Sequence, residues 1–338
     1  MSQKPQSTMS DVARRAKVST ATVSRALSAP HQVQENTRKR VLQAITDLGY
    51  APNFGARVLA AKQTNTFGVV IPTMENAVFA RGIQAFQEEL GRHGKTLLIA
   101  SSGYQSKLED EQVRTLVARG ADALLLIGYD RPKELYDFLD RRSVPTLVIW
   151  SFSANEARTA IGFDNRKSMA ELASLVIAYG HTRIGCLSAP TADNDRARAR
   201  VDGIKSAMTS AGLDCRQLEL IETPYAIENA ELAFHALMNR APRTTAVICG
   251  NDVLAIGALR AAREMDLRVP EDVSITGFDD LEIALLAEPA LTTVHVPHRQ
   301  MGRRAARMLI QMLNQTGELR SVELQTEIKQ RYSLAPAP

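Results

Sequence analysis

Only three of the 338 residues are cysteine, Cys186, Cys215 and Cys249, and they show no CxxC or other metal-like spacing. A sparse, odd set excludes a disulfide framework and predicts buried thiols in a reducing compartment. Aromatic residues make up 5% of the chain, against 45% hydrophobic and 23% charged. That balance describes an ordinary soluble α/β protein and excludes disordered and fibrous classes. No run approaches the roughly 18 apolar residues of a membrane helix, so no membrane partner is expected. The first ten residues, MSQKPQSTMS, lack the apolar core of a secretory leader, so the expected location is cytoplasmic. No GxGxxG opens the first βα unit, and neither a Walker loop nor a GxSxG elbow occurs, which removes the usual signatures of dinucleotide, nucleotide and acyl-enzyme chemistry. His295 and His298 lie three apart with Pro297 between them and no further ligand nearby, so no metal is expected. An enzyme is therefore not expected.

Charge is present but unevenly spread. The net formal charge is +4, yet residues 1–62 hold ten Lys or Arg against three acids, Asp11, Glu35 and Asp47, while the remainder holds 31 basic and 34 acidic residues. A small basic head on a mildly acidic body implies that one end meets a polyanion.

The head also has the pattern of three short helices. Thr8 followed by Asp11 begins like a capping box, and Met9, Val12, Ala13 and Ala16 recur at helical spacing. After Lys17 and Val18, Ser19 is a natural N-cap for a second helix, Thr20 to Leu27; a third runs from about Glu35 to Leu48 and stops at Gly49. This spacing predicts a helix-turn-helix whose second helix enters a major groove. There Arg25 can offer a fork to guanine, and Thr20 and Ala21 can touch thymine methyls. Ser19, Thr22 and Ser24, with Thr37 and Arg38 in the cluster TRKR, are placed for phosphates. Singly, each of these residues is equally compatible with capping or solvation.

The strings SDVARRAKVSTATVSRAL and TRKRVLQAITDLGYAPN resemble the DNA-binding domain of the LacI/GalR repressor family. The resemblance implies base reading by Thr20, Ala21 and Arg25. It also implies a hinge helix within NFGARVLAAKQ (53–63), with Leu59 as a minor-groove wedge. Pro52 and Asn53 independently signal a helix start. Where many relatives have glycine in the turn, this chain has Lys17. The expected organisation is a helix-turn-helix domain over 1–50, a hinge helix and linker over 51–64, and an effector-binding and dimerisation domain over 65–338.

From Phe67 onward, short apolar runs alternate with amphipathic helices. Strands are predicted at 67–72, 96–100, 123–128 and 146–150, with helices at 79–92, 107–119 and 133–142. A second series of strands follows at 183–187, 218–222, 245–250 and 274–278. The fold class is thus a small all-α head plus an α/β body of two doubly wound parallel-sheet lobes. Such lobes bind ligands beyond the carboxyl ends of their strands, where Trp150, Asp164, Arg196, Asn251, Asp252, Asp279 and Asp280 fall. These groups suit a polyhydroxylated or anionic ligand, with Phe79 or Trp150 covering an apolar sugar face. For the pairs 251–252 and 279–280, helix capping is the alternative.

The resemblance continues through YGHTRIGCLSAP, GNDVLAIGAL, VPEDVSITGFDD and ALTTV, so it covers the whole body, whose architecture it identifies as periplasmic-binding-protein-like. ENAVFARGI and AIGFDN are similar to the gluconate-repressor branch. It implies that Phe79, Trp150, Asp164, Arg196, Asn251 and Asp279 line an effector cleft, with Arg198 competing for the role of Arg196. No cofactor is implied. The expected partners are double-stranded operator DNA, a sugar, sugar acid or related metabolite, and a second copy of the chain. The tail RYSLAPAP has no leucine heptad, so a homodimer is the simplest assembly. A transport-type binding protein would share the lobes but not the basic head.

Overall fold

The computed structural model describes residues 7–50, 63–75, 77–240, 243–317 and 319–338. The chain divides into two compact units, Met1–Thr64 and Asn65–Pro338.

In the first unit the capping box forms as its sequence requires. Thr8 Oγ1 accepts from Asp11 N at 3.3 Å, and Asp11 Oδ2 accepts from Thr8 N at 2.9 Å. Helix α1 (Met9–Ala16) ends at Lys17, which takes up the left-handed conformation (φ 55°, ψ 50°) that glycine would enter without a Cβ penalty. α2 (Thr20–Ser28) starts from Ser19, and α3 (Glu35–Leu48) stops at Gly49, with φ 58°. Val12, Ala13, Ala16, Val23, Ala26, Val41, Ala44 and Tyr50 form the miniature core. Each buried valine in it contributes about 1.5–3 kcal/mol relative to exposure.

The second unit has two lobes. The first sheet contains β1 (Thr66–Ile71), β2 (Thr96–Ser101), β3 (Ala123–Ile127), β4 (Thr146–Ile149), β5 (Ala160–Gly162) and, from the end of the chain, β11 (Val322–Glu323). Its order is β11-β5-β4-β3-β1-β2, all parallel. The connecting helices are α4 (Ala80–Arg92), α5 (Ser106–Ala118) and α6 (Lys133–Arg141). All residues of β1, β3 and β4 are buried, as the near-continuous apolar runs of a doubly covered parallel sheet require.

The second sheet holds β6 (Ile184–Ser188), β7 (Glu219–Glu222), β8 (Ala246–Cys249), β9 (Ser274–Asp279), β10 (Thr292–His295) and β12 (Glu327–Lys329), ordered β12-β10-β9-β8-β6-β7. Only β12 is antiparallel to its neighbour. Its helices are α7 (Asn165–Ala178), α8 (Asp195–Ser210), α9 (Ile227–Met238), α10 (Asp252–Glu264) and the short α11 (Glu282–Leu286). α12 (His298–Asn314) returns to the first lobe and packs on α4. The two backbones touch there, since a Cβ on Gly302 would lie 2.0 Å from Gly82 O.

The chain therefore crosses between lobes three times: between β5 and α7, between β10 and α12, and between β11 and β12. Phe163, at the first crossing, stacks on Phe278 of β9 with ring centroids 5.9 Å apart. Among the described residues no helix is long and apolar enough to cross a membrane.

Candidate DNA-recognition face and ligand cleft

On the head, Thr20, Ala21, Ser24 and Arg25 are exposed along α2, while Val23 and Ala26 turn into the core. The Ser19 and Thr22 hydroxyls lie 2.9 Å apart, and Ser19 Oγ also accepts from Thr22 N at 3.1 Å, so both already serve the cap. Each of the three head acids has a basic partner: Asp11 with Arg14, Asp47 with Arg15 and Glu35 with Lys39. Arg25 and Arg38 have no acidic partner among the described residues and stand free to meet phosphate or base. Thr37 is half-buried at the start of α3. Asn53 and Leu59 lie outside the described residues.

In the body, the loops after β1, β2, β4, β6, β7, β8 and β9 meet around a narrow cavity of about 20 Å³. Phe79, Trp150, Arg196, Asn251 and Asp279 line it. Trp150 sits at the end of β4 with φ 65°, a left-handed conformation that costs a bulky residue on the order of 1–3 kcal/mol. Its ring meets Phe79 edge-on at 5.2 Å and rests against Gly82, where a Cβ would come within 2.5 Å of the indole. Its buried Nε1 has no hydrogen-bond partner.

Asp279 ends β9, also at positive φ (103°), and is 1% exposed. Neither carboxylate oxygen has a hydrogen bond, and the nearest cation is Arg200 Nη2 at 3.7 Å. Burial pushes the Asp279 pKa up to about 6, only partly opposed by Arg200. Arg200 is itself fixed: Nε donates to Asn165 Oδ1 (2.9 Å), Nη1 donates to Gly250 O (2.6 Å), and its guanidinium lies 3.8 Å over the Phe278 ring. Asn251 Oδ1 caps α10 by accepting from Leu254 N at 2.9 Å.

The lobes are also joined at the mouth of this cavity. Arg196 Nη1 donates to Ile127 O (3.1 Å) and Asp195 Oδ1 (2.7 Å), and Asp195 Oδ2 accepts from Tyr129 N (2.8 Å). Gly128, at φ 72°, permits this approach, because a Cβ there would overlap Arg196 Nη1 at 1.9 Å.

Two expected residues lie elsewhere. Asp164 is the N-cap of α7, its Oδ1 accepting from Lys167 N at 2.9 Å, and does not line the cavity. Arg198 grips Asp130 with Nη2 at 2.7 and 2.8 Å and points away from the cavity lining. The second lining arginine is Arg200, which the sequence reading missed, together with Tyr104, Asn194 and Tyr225. Helical periodicity separates them: positions 196 and 200 share a face of α8, whereas 198 lies across from it. Asp252 is a buried buttress, accepting from Thr293 Oγ1 and Leu281 N, and Asp280 pairs with His295 and Arg331 rather than capping a helix. His295 and His298 do not converge as ligands, since His298 Nε2 faces Asp279 O at 3.2 Å.

Residues 173–334 match the model of the periplasmic binding protein-like domain, and residues 8–53 that of bacterial regulatory proteins, lacI family. Over 331 residues the chain is 32% identical to the HTH-type transcriptional repressor PurR of Vibrio atlanticus (strain LGP32), covering 97% of this chain and 98% of that protein. The chain belongs to the LacI family. Among solved structures, a LacI-family regulator from Silicibacter pomeroyi shares the fold with a TM-score of 0.88 at 24% identity, over 97% of this chain and 99% of that one. The transcription regulator GntR from Chromobacterium violaceum is similar with a TM-score of 0.74 and 27% identity, over 80% and 99%. This LacI-family protein is a DNA-binding transcriptional repressor with a ligand-binding body, and the family is one of regulators rather than enzymes.

Proposed function

We propose that the cleft takes a sugar or sugar acid, and that its binding releases a homodimer from a palindromic operator. The observation that carries the ligand class is the buried Asp279 carboxylate, without hydrogen bonds, facing the same cavity as Arg196 and Arg200. Ligand hydroxyls can donate to Asp279 and accept from Trp150 Nε1, an acid group can take the arginine forks, and Phe79 with the indole can cover an apolar ring face. The resemblance of ENAVFARGI and AIGFDN to the gluconate-repressor branch supports a sugar acid in particular.

On the DNA side, Arg25, Thr20 and Ala21 read base edges, Ser19, Thr22, Ser24, Thr37 and Arg38 face phosphates, and Asn53 and Leu59 belong to the hinge. The homodimer is supported by Leu285 and Leu286, 59% and 81% exposed, beside a groove formed by Ile256, Leu259, Arg260 and Arg263. Ligand binding shifts the lobe angle, the paired hinges separate, and specific affinity falls toward the nonspecific level by about 10³ or more. This activity places the protein in the cytoplasm, on the nucleoid.

A thermal-shift panel of sugars, sugar acids, sugar phosphates and purines tests the ligand class, since a ligand at 100 times its Kd adds about 2.7 kcal/mol. Stabilisation by gluconate-like acids, accompanied by operator release in a gel-shift assay, is expected. Stabilisation by purines alone overturns the sugar-acid assignment, and tightening of the operator complex overturns the release.

A further inference from the structure

Asn165 is a buried side chain, 2% exposed, that does not line the cavity yet touches both of its halves. It opens α7 just after the first crossing between lobes. Its Nδ2 donates to Trp150 O at 3.0 Å, on the first lobe, and its Oδ1 accepts from Arg200 Nε at 2.9 Å, on the second. A carbonyl only accepts and a guanidinium only donates, so the amide has a single workable orientation. An ionised aspartate has no hydrogen to give Trp150 O, and an apolar side chain satisfies neither partner.

Both partners need holding. Trp150 has a left-handed backbone that its surroundings must impose, and Arg200 carries one of the two guanidinium groups in the cavity. The distance between them is fixed from behind as well: α7 and α8 touch where a Cβ on Gly203 would lie 2.3 Å from Arg166 O. With Nε on Asn165 and Nη1 on Gly250 O, Arg200 turns Nη2 toward Asp279.

We propose that Asn165 is a positioning residue for ligand recognition, holding the Trp150 indole and the Arg200 guanidinium in one mutual placement across the lobe boundary without touching the ligand. Trp150 is the only tryptophan in the chain, so emission excited at the red edge, where tyrosine does not absorb, reports on it alone. The test uses the full chain without ligand: Asn165→Ala, Asn165→Asp and, as a packing control on the same helix, Leu172→Ala, whose side chain is fully buried. Both Asn165 variants are expected to keep the parent far-UV spectrum, with red-shifted emission and lost protection from acrylamide. Leu172→Ala is expected to melt earlier with emission unchanged. Asn165 variants that melt earlier but keep the parent emission and quenching overturn the proposal. So does a Leu172→Ala shift of equal size, or failure of both Asn165 variants to fold. No ligand enters the measurement, so loss of the sugar-acid reading leaves this test intact.

Discussion

Asp279→Asn removes a charge from a place where the fold compensates it poorly. Both carboxylate oxygens lack hydrogen bonds, the residue is 1% exposed, and its one nearby cation stands 3.7 Å away. The folded state holds its pKa at about 6, against 3.8 for the free group. At about 1.4 kcal/mol per unit, that difference of roughly two units is a penalty of about 3 kcal/mol. Because the folded form keeps its proton to higher pH than the unfolded form, the penalty is absent below pH 4, grows between pH 4 and 6, and is complete above pH 6. His298 works the other way: burial lowers its pKa to about 4 from 6.5, so the native state loses stability as pH falls through that window. Comparing variant with parent at each pH removes the His298 contribution. Urea unfolding followed by Trp150 emission should show the variant more stable by up to about 3 kcal/mol at pH 7.5, with the gain vanishing by pH 4. Its response to the effector should be lost at every pH. A variant no more stable than the parent at pH 7.5, or a gain that does not change with pH, refutes the ionisation argument.

Arg200→Ala is expected to abolish ligand-induced thermal shift while leaving DNA affinity intact, and Arg198→Ala to retain the shift; the opposite pattern restores Arg198 to the cleft. Arg25→Ala should lose about 1–3 kcal/mol at a preferred operator and relax one base position, as read by competition gel shift. An unchanged base preference removes Arg25 from direct readout. Gly128→Ala places a methyl where Arg196 and Asp195 sit, so the lobes should part, seen as a larger radius of gyration in X-ray scattering. An unchanged radius shows that the junction at the cleft mouth does not hold the lobes together.

The regular parts of the fold were legible because their periodicity is strong. Buried parallel strands such as β1 and β3 are continuous apolar runs, and α1 and α2 carry their own caps. The short strands β5, β10, β11 and β12 were not found. They hold two to four residues each, too few to show a period of their own, and β11 becomes a strand only by pairing with β5 from the far end of the chain. The cleft was half legible. Trp150, Asn251 and Asp279 are marked by their position at strand ends, whereas Asp164 has the same position and is spent on capping α7. Arg200 sits one full turn inside α8, where a rule about strand ends does not look, and only the four-residue spacing from Arg196 signals it.

The three crossings between lobes also bear on how the protein is made. Neither lobe is encoded by one continuous stretch: α12 and β11 complete the first, β12 completes the second, and the last residues tie into it through Ser333 O to Ile275 N and Tyr179 O to Ala337 N. During synthesis the helical head has all its core residues once about 50 residues have left the ribosome, while the body must wait for nearly the entire message. A product cut short near its end by a frameshift or a stalled ribosome would carry a finished DNA reader on an unfinished sensor.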